Sequence, residues 1–82
     1  MNAKKLEKIQ VIVNKTVKGN LERLILTERT NKAIYIESEF FGQLFHGFIL
    51  RDLIKTCDRL NLGYYLGFNS AKQSIQLHIY ER

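Results

Sequence analysis

Between Ala3 and Lys18 the apolar residues Leu6, Ile9, Val13 and Val17 recur every three or four positions, with Ile12 and Thr16 at the edge of the same stripe. That period predicts an amphipathic helix over 3–18. Lys4, Lys5, Lys8, Lys15 and Lys18 occupy the rest of its surface. Gly19 stands where a left-handed cap belongs, and Lys18 sits well beside the negative helix end. The run Val11-Ile12-Val13 argues the other way, because β-branched side chains favour extended backbone. A strand is therefore the competing reading of this segment.

Further along, the period changes to two. Residues 21–28 and 32–38 read as a hairpin around Arg29-Thr30-Asn31, with Leu24 and Leu26 sharing a face with Ile34 and Ile36. Arg23, Ile25, Thr27 and Tyr35 point the opposite way. Residues 63–69 and 74–81 read as a second hairpin around Ser70-Ala71-Lys72-Gln73. Tyr64, Leu66 and Phe68 alternate on one face, matched by Ile75, Leu77 and Ile79. Tyr65, Gln76, His78 and Tyr80 take the other face, where Gly67 marks either a bulge or a close approach.

Between the hairpins lies a helix ending near Asn61. Ile49, Leu50, Leu53, Cys57 and Leu60 gather on one side of it, with Ile54 at the border; Arg51, Asp52, Lys55, Thr56 and Arg59 lie opposite. Extended backwards, the pattern turns. Four of the five phenylalanines fall between Phe40 and Phe48, and Phe41, Leu44, Phe45 and Phe48 land above Asp52 and Lys55, away from the sheet-facing stripe. Either the chain breaks near Gly47, or the helix continues and its first turns carry a phenylalanine ridge. Three uses fit such a ridge: packing on the N-terminal helix, a homodimer or partner interface, or a small-molecule pocket. The order helix, hairpin, helix, hairpin predicts an α+β domain over 1–82 with a four-stranded, mainly antiparallel sheet.

A chain of 82 residues buries only about 60–65% of its unfolded surface, and such marginal domains draw on disulfides, metals or oligomerisation. The single cysteine, Cys57, excludes an internal disulfide, and two histidines with one cysteine fit no structural zinc site. Oligomerisation, as a dimer, is the remaining aid. No apolar run reaches membrane-spanning length, and Met1–Lys8 lacks the apolar stretch of a secretory signal; the expectation is a cytoplasmic protein without a membrane role. The net charge of +5 is uneven: residues 1–23 hold six Lys/Arg against two Glu. A basic end of this kind suits an acidic partner such as DNA or RNA, or serves solubility.

Residues for catalysis are few. Cys57 lies on the buried helix face as a small core residue. His46 sits among phenylalanines as a hydrogen-bonded structural residue, and His78 projects from a strand as an exposed one. Asp52 and Asp58 do not share a helix face. No phosphate loop, nucleophile elbow or metal spacing occurs, so no enzyme, cofactor, catalytic residue or metal is expected.

Two binding readings follow. In the first, a small nucleic-acid-associated regulator meets phosphates through Lys4, Lys5, Lys8, Lys15 and Lys18 and stacks bases on Tyr35, Tyr65, His78 and Tyr80. Against the stacking stands the possibility that two helices cover both sheet faces. In the second, a protein-binding regulator or inhibitor, of the kind carried by phages and mobile elements, docks through Phe41, Leu44, Phe45 and Phe48.

Overall fold

The computed structural model describes residues 1–18, 24–38 and 47–82, with 16–18 as backbone. Two helices and four strands follow in the order α1 (Ala3–Lys18), β1 (Leu24–Thr30), β2 (Ala33–Ser38), α2 (Gly47–Arg59), β3 (Leu62–Asn69) and β4 (Ser74–Glu81). The class is α+β with an antiparallel sheet, as the periodicity predicts. The strand order is β1-β2-β4-β3, so among the described residues β2 and β4 are central and β1 and β3 are edges.

In α1 the helical period overrides the β-branched run. Ile9 and Val13 are buried, Ile12 is half-buried and Val11 is exposed, so the three branched residues spread round the helix and only one face enters the core. Asn2 caps the helix, its Oδ1 accepting from the Lys4 N–H at 2.8 Å. The Asn2 N–H in turn donates to Glu81 Oε1 at 2.7 Å, tying the helix start to the end of β4. At the end of α2, Asn61 adopts a left-handed conformation, φ 56°, and turns the chain directly into β3.

Both helices lie on one face of the sheet. α1 packs on β1 and on α2, and α2 packs on β3. Ile9, Val13, Ile49, Leu53 and Cys57 from the helices join Leu24, Ile34, Ile36, Leu62, Leu77 and Ile79 from the strands in one buried cluster. Leu66 and Phe68 continue that sheet face along β3 yet stand outside the cluster, 54% and 65% exposed. Their alternation with Tyr64 is as expected, but the core takes in only the first half of β3, where Leu62 is buried and Tyr64 packs on the cluster. Residues 39–46 lie outside the described residues. The question of helix, strand or loop over 40–48 is therefore answered only from Gly47 onward, where the backbone is helical.

Candidate functional site

The second sheet face carries no helix among the described residues, and strand register arranges it as rows. Thr27, Tyr35, His78 and Tyr65 oppose one another in turn across β1, β2, β4 and β3. One row towards the N-terminal end of β3, Ala33, Tyr80 and Gly63 are opposed; one row the other way come Ile25, Glu37, Gln76 and Gly67. Alternation along each strand thus brings Tyr35, Tyr65, His78 and Tyr80 onto one surface. Tyr65 and Tyr80 are 50% and 40% exposed, while Tyr35 and His78 are half-buried between neighbours.

The two glycines of β3 make this cluster possible. A Cβ at Gly63 would overlap the Tyr80 ring, which lies across the strand at that point. A Cβ at Gly67 would come 2.9 Å from His78 Nε2. Gly67 is therefore a close approach rather than a bulge, and the β3–β4 register runs through it unbroken. Between these clearings Tyr65 lies flat on His78, with centroids 4.6 Å apart and planes 1° apart. Tyr35 and Tyr80 flank the pair, at 5.6 Å from His78 and 6.2 Å from Tyr65.

A chain of hydrogen bonds underlies the rings. Arg29 occupies the bulge that shifts the β1–β2 register between Glu28 and Thr30, and its guanidinium reaches over the sheet. Arg29 Nη1 lies 3.1 Å from His78 Nδ1 and 3.5 Å from the Tyr65 hydroxyl. His78 Nε2 lies 3.0 Å from Gln76 Oε1. Gln76 Nε2 donates to Glu37 Oε2 at 2.9 Å, and Lys72 Nζ donates to Glu37 Oε1 at 3.4 Å. Glu37 can only accept, so the Gln76 amide nitrogen must face it and Gln76 Oε1 must face His78. The imidazole therefore carries its proton on Nε2 and accepts from Arg29 at Nδ1. Every donor in the chain points from the cation towards the carboxylate.

The electrostatics agree. Burial opposes the Glu37 charge, but hydrogen bonds from Gln76, Lys72 and Asn69, with the Lys72 charge, outweigh it and hold the carboxyl below its usual range. For His78, burial first and Arg29 second disfavour the cation, and the pull of Glu37 does not restore it, so the ring titrates below its ordinary value. The face is thus neutral at its aromatic centre, with a guanidinium on one side and a compensated carboxylate on the other. That arrangement offers flat π surfaces and a fixed cation.

The lysines fall elsewhere. Lys4, Lys5, Lys8 and Lys15 belong to α1, on the opposite side of the sheet from the tyrosines; the Lys18 side chain lies outside the described residues. Lys15 borders a groove of about 520 Å³ between the helices, shared with Lys55, Arg59, Asp52 and Asp58, and Lys8 lies beside Arg59 at its end. The two acids interrupt the positive charge there. Of the proposed ridge, Phe41, Leu44 and Phe45 lie outside the described residues, as does His46. Phe48 is 62% exposed on α2, with the Arg51 guanidinium 5.6 Å from its ring centroid. The Cys57 thiol is fully buried and pushed up to about 11 by burial and by Asp58, so it stays protonated.

Arg29, Glu37 and Gln76 are the members that sequence reasoning left out of the site. Strand parity was a usable signal for Glu37, which follows Tyr35 by two, whereas the sequence reads Arg29 into the turn and β1 in fact runs on to Thr30. What parity does not convey is the bulge that gives Arg29 its place over the sheet. No known protein-family model matches this chain, and no curated protein matches it in sequence.

Proposed function

We propose that this protein binds single-stranded nucleic acid across the helix-free face of its sheet. The observation that carries the reading is the stacked Tyr65–His78 pair with the Arg29 guanidinium at its rim, flanked by Tyr35 and Tyr80. Aromatic side chains on a four-stranded sheet are a recurrent platform for splayed bases, because each base presents a π face whatever its sequence. Arg29 supplies a cation at the platform's edge for a phosphate, or a second plane for stacking. The neutral imidazole favours stacking over charge pairing. Affinity would therefore depend weakly on sequence and clearly on salt. The α1 lysines lie on the other side of the sheet and would contribute long-range attraction, not the same contact surface.

Fluorescence anisotropy against single- and double-stranded DNA and RNA tests this. Single strands should bind more tightly than duplexes. Each of Tyr65→Ala and Tyr80→Ala should weaken binding by roughly 5- to 150-fold, the value of one stacked base, with little change in thermal melting. Absence of single-strand binding at about 50 mM salt, where phosphate-driven affinity is greatest, would end the proposal. Undiminished binding by the double variant would end it too.

A protein-binding regulator is the second reading, favoured by the 62% exposure of Phe48 on α2. In that case Phe48→Ser, and not Tyr65→Ala, would abolish partner binding.

A further inference from the structure

The two edges of the sheet differ. β1 carries Glu28 and Arg29 and is bent by a bulge between Glu28 and Thr30. Charges and bulges are the devices that keep an edge from pairing with another chain. β3 has neither. Its residues Leu62–Asn69 contain no charge and no proline, and they pair with β4 in unbroken register. Along the other side of β3, the alternate N–H and C=O groups that face away from β4 form an uninterrupted row.

Side chains beside this edge are also apolar. Leu66 and Phe68 are 54% and 65% exposed on the helix side of the sheet, and Tyr65 is 50% exposed on the other. In α2, Asp52, Lys55 and Arg59 line the groove against α1. At about 100° per residue, Leu50 and Ile54 then occupy the opposite flank, which faces the β3 edge. Both are half-buried.

We infer that β3 pairs antiparallel with β3 of a second copy of this chain, about a two-fold axis at Leu66. The result is one eight-stranded sheet with the helices of both copies on the same face. An open strand edge is a ready template for another strand, and the pattern of β3 is self-complementary in this register. Leu66 meets its own symmetry mate. Tyr64 opposes Phe68 of the partner subunit on the helix side. Tyr65 opposes the partner's Gly67 on the open side, repeating the ring-over-glycine fit of Tyr80 on Gly63. Centring on Tyr65 instead would set glycine against glycine, and an odd register would put the two helix layers on opposite faces. Leu50 and Ile54 of each copy flank the joined strands.

Three exposed side chains supply more than half of the area that a specific interface needs. Leu66, Phe68 and Tyr65 each expose on the order of 100 Å². Two copies therefore bury roughly 600 Å² before the backbone, Tyr64, Leu50 and Ile54 are counted, against the ~1,000 Å² of a specific interface. Each chain carries +5, so the copies repel at a distance, yet the contact itself buries no charge. Dimerisation should accordingly strengthen with added salt, opposite to phosphate binding.

Sedimentation equilibrium of the full chain without nucleic acid, from about 1 to 300 µM, tests the inference. The expected result is a concentration-dependent mass twice the 9.6 kDa of one chain, more dimer at higher salt, and monomer for Leu66→Lys and Phe68→Lys. Phe48→Ser should leave the dimer intact. Hydrogen exchange of the unmodified protein is the second measurement, needing no variant to fold: β3 amides should gain protection as concentration rises. A strictly monomeric chain at 300 µM overturns the inference. So does a dimer lost in Phe48→Ser and kept in Leu66→Lys, or β3 exchange that ignores concentration. None of these readouts depends on nucleic-acid binding, so the two proposals fail separately.

Discussion

Tyr65 and His78 lie parallel across the β3–β4 pair, 4.6 Å between centroids, and the imidazole is held from its rim by Arg29 and Gln76. Burial disfavours a charged ring here, and the Arg29 hydrogen bond requires the neutral one, while the Nε2–H donated to Gln76 is kept in either form. A proton on Nδ1 would remove the acceptor that Arg29 uses and set two cations against each other. The folded chain therefore binds this proton more weakly than the unfolded chain, whose reference value is 6.5. The stabilisation is complete above pH 6.5 and is lost as pH falls through the lower folded midpoint. NMR should find His78 as the Nε2–H tautomer with a midpoint below 6.5. Urea melts should lose stability below that pH, and His78→Phe should reduce that slope.

Glu37 tests the other end of the hydrogen-bond chain. Its residue is buried, while the side chain of Lys72 is 40% exposed. A partly exposed ion pair contributes at most about 1 kcal/mol, whereas an abandoned buried acceptor costs about 1–3 kcal/mol. Gln76→Leu should therefore destabilise more than Lys72→Met. Gln76→Leu should also raise the Glu37 titration towards its unfolded value of 4.5, so that less stability is lost as pH falls below it. Urea unfolding across pH provides both comparisons; a larger cost for Lys72→Met would show that the charge matters more than the hydrogen bond.

The helical stripes, both hairpins and the two faces of the central strands were legible because each depends on local period. Leu6, Ile9 and Val13 declare α1; Ile34 and Ile36 against Tyr35 declare the faces of β2. Strand order was not legible, since nothing in the periodicity states that β4 lies between β2 and β3. The exposure of Leu66 and Phe68 escaped prediction too, since alternation does not say that the core takes in only the first half of β3. The placement of both helices on one face was equally hidden, because an amphipathic stripe does not say which sheet face it meets. This placement is what leaves Tyr65 and Tyr80 uncovered among the described residues.

Gly63 and Tyr80 should behave as one unit. A methyl group at Gly63 overlaps the Tyr80 ring, so Gly63→Ala should cost about 1–3 kcal/mol through overpacking. With Tyr80→Ala the overlap is gone, and alanine in a strand is better than glycine by roughly 0.5–1 kcal/mol. The substitution at Gly63 should then become neutral or stabilising. A double-mutant cycle by urea unfolding should reveal this change of sign; additive effects would mean that the ring does not rest on the glycine.

Cys57 reports on the integrity of the core between α2 and the sheet. At a thiol value of about 11, roughly a thousandth of it is thiolate near pH 8, and the side chain is fully buried. Native protein should resist a thiol reagent and react fully in denaturant. The labelling rate should rise in core variants such as Leu53→Ala, where a cavity of this kind costs about 2–5 kcal/mol. Fast labelling of the native chain would place the thiol at the surface and contradict the packing of α2.

The separation of Arg29 from the α1 lysines gives the last prediction its leverage. If bases stack on Tyr65, a phosphate of the same strand lies within reach of Arg29 and not of Lys8 or Lys15, which sit behind the sheet beside Arg59 and Lys55. For single strands each neutralised phosphate contributes about 0.7 to the slope of log affinity against log salt. Arg29→Gln should therefore flatten that slope by about 0.7, while Lys8→Gln and Lys15→Gln together leave it nearly unchanged and lower affinity only slightly at low salt. The reverse pattern, a slope carried by Lys8 and Lys15 and indifferent to Arg29, would move the binding surface from the tyrosine face to the interhelical groove.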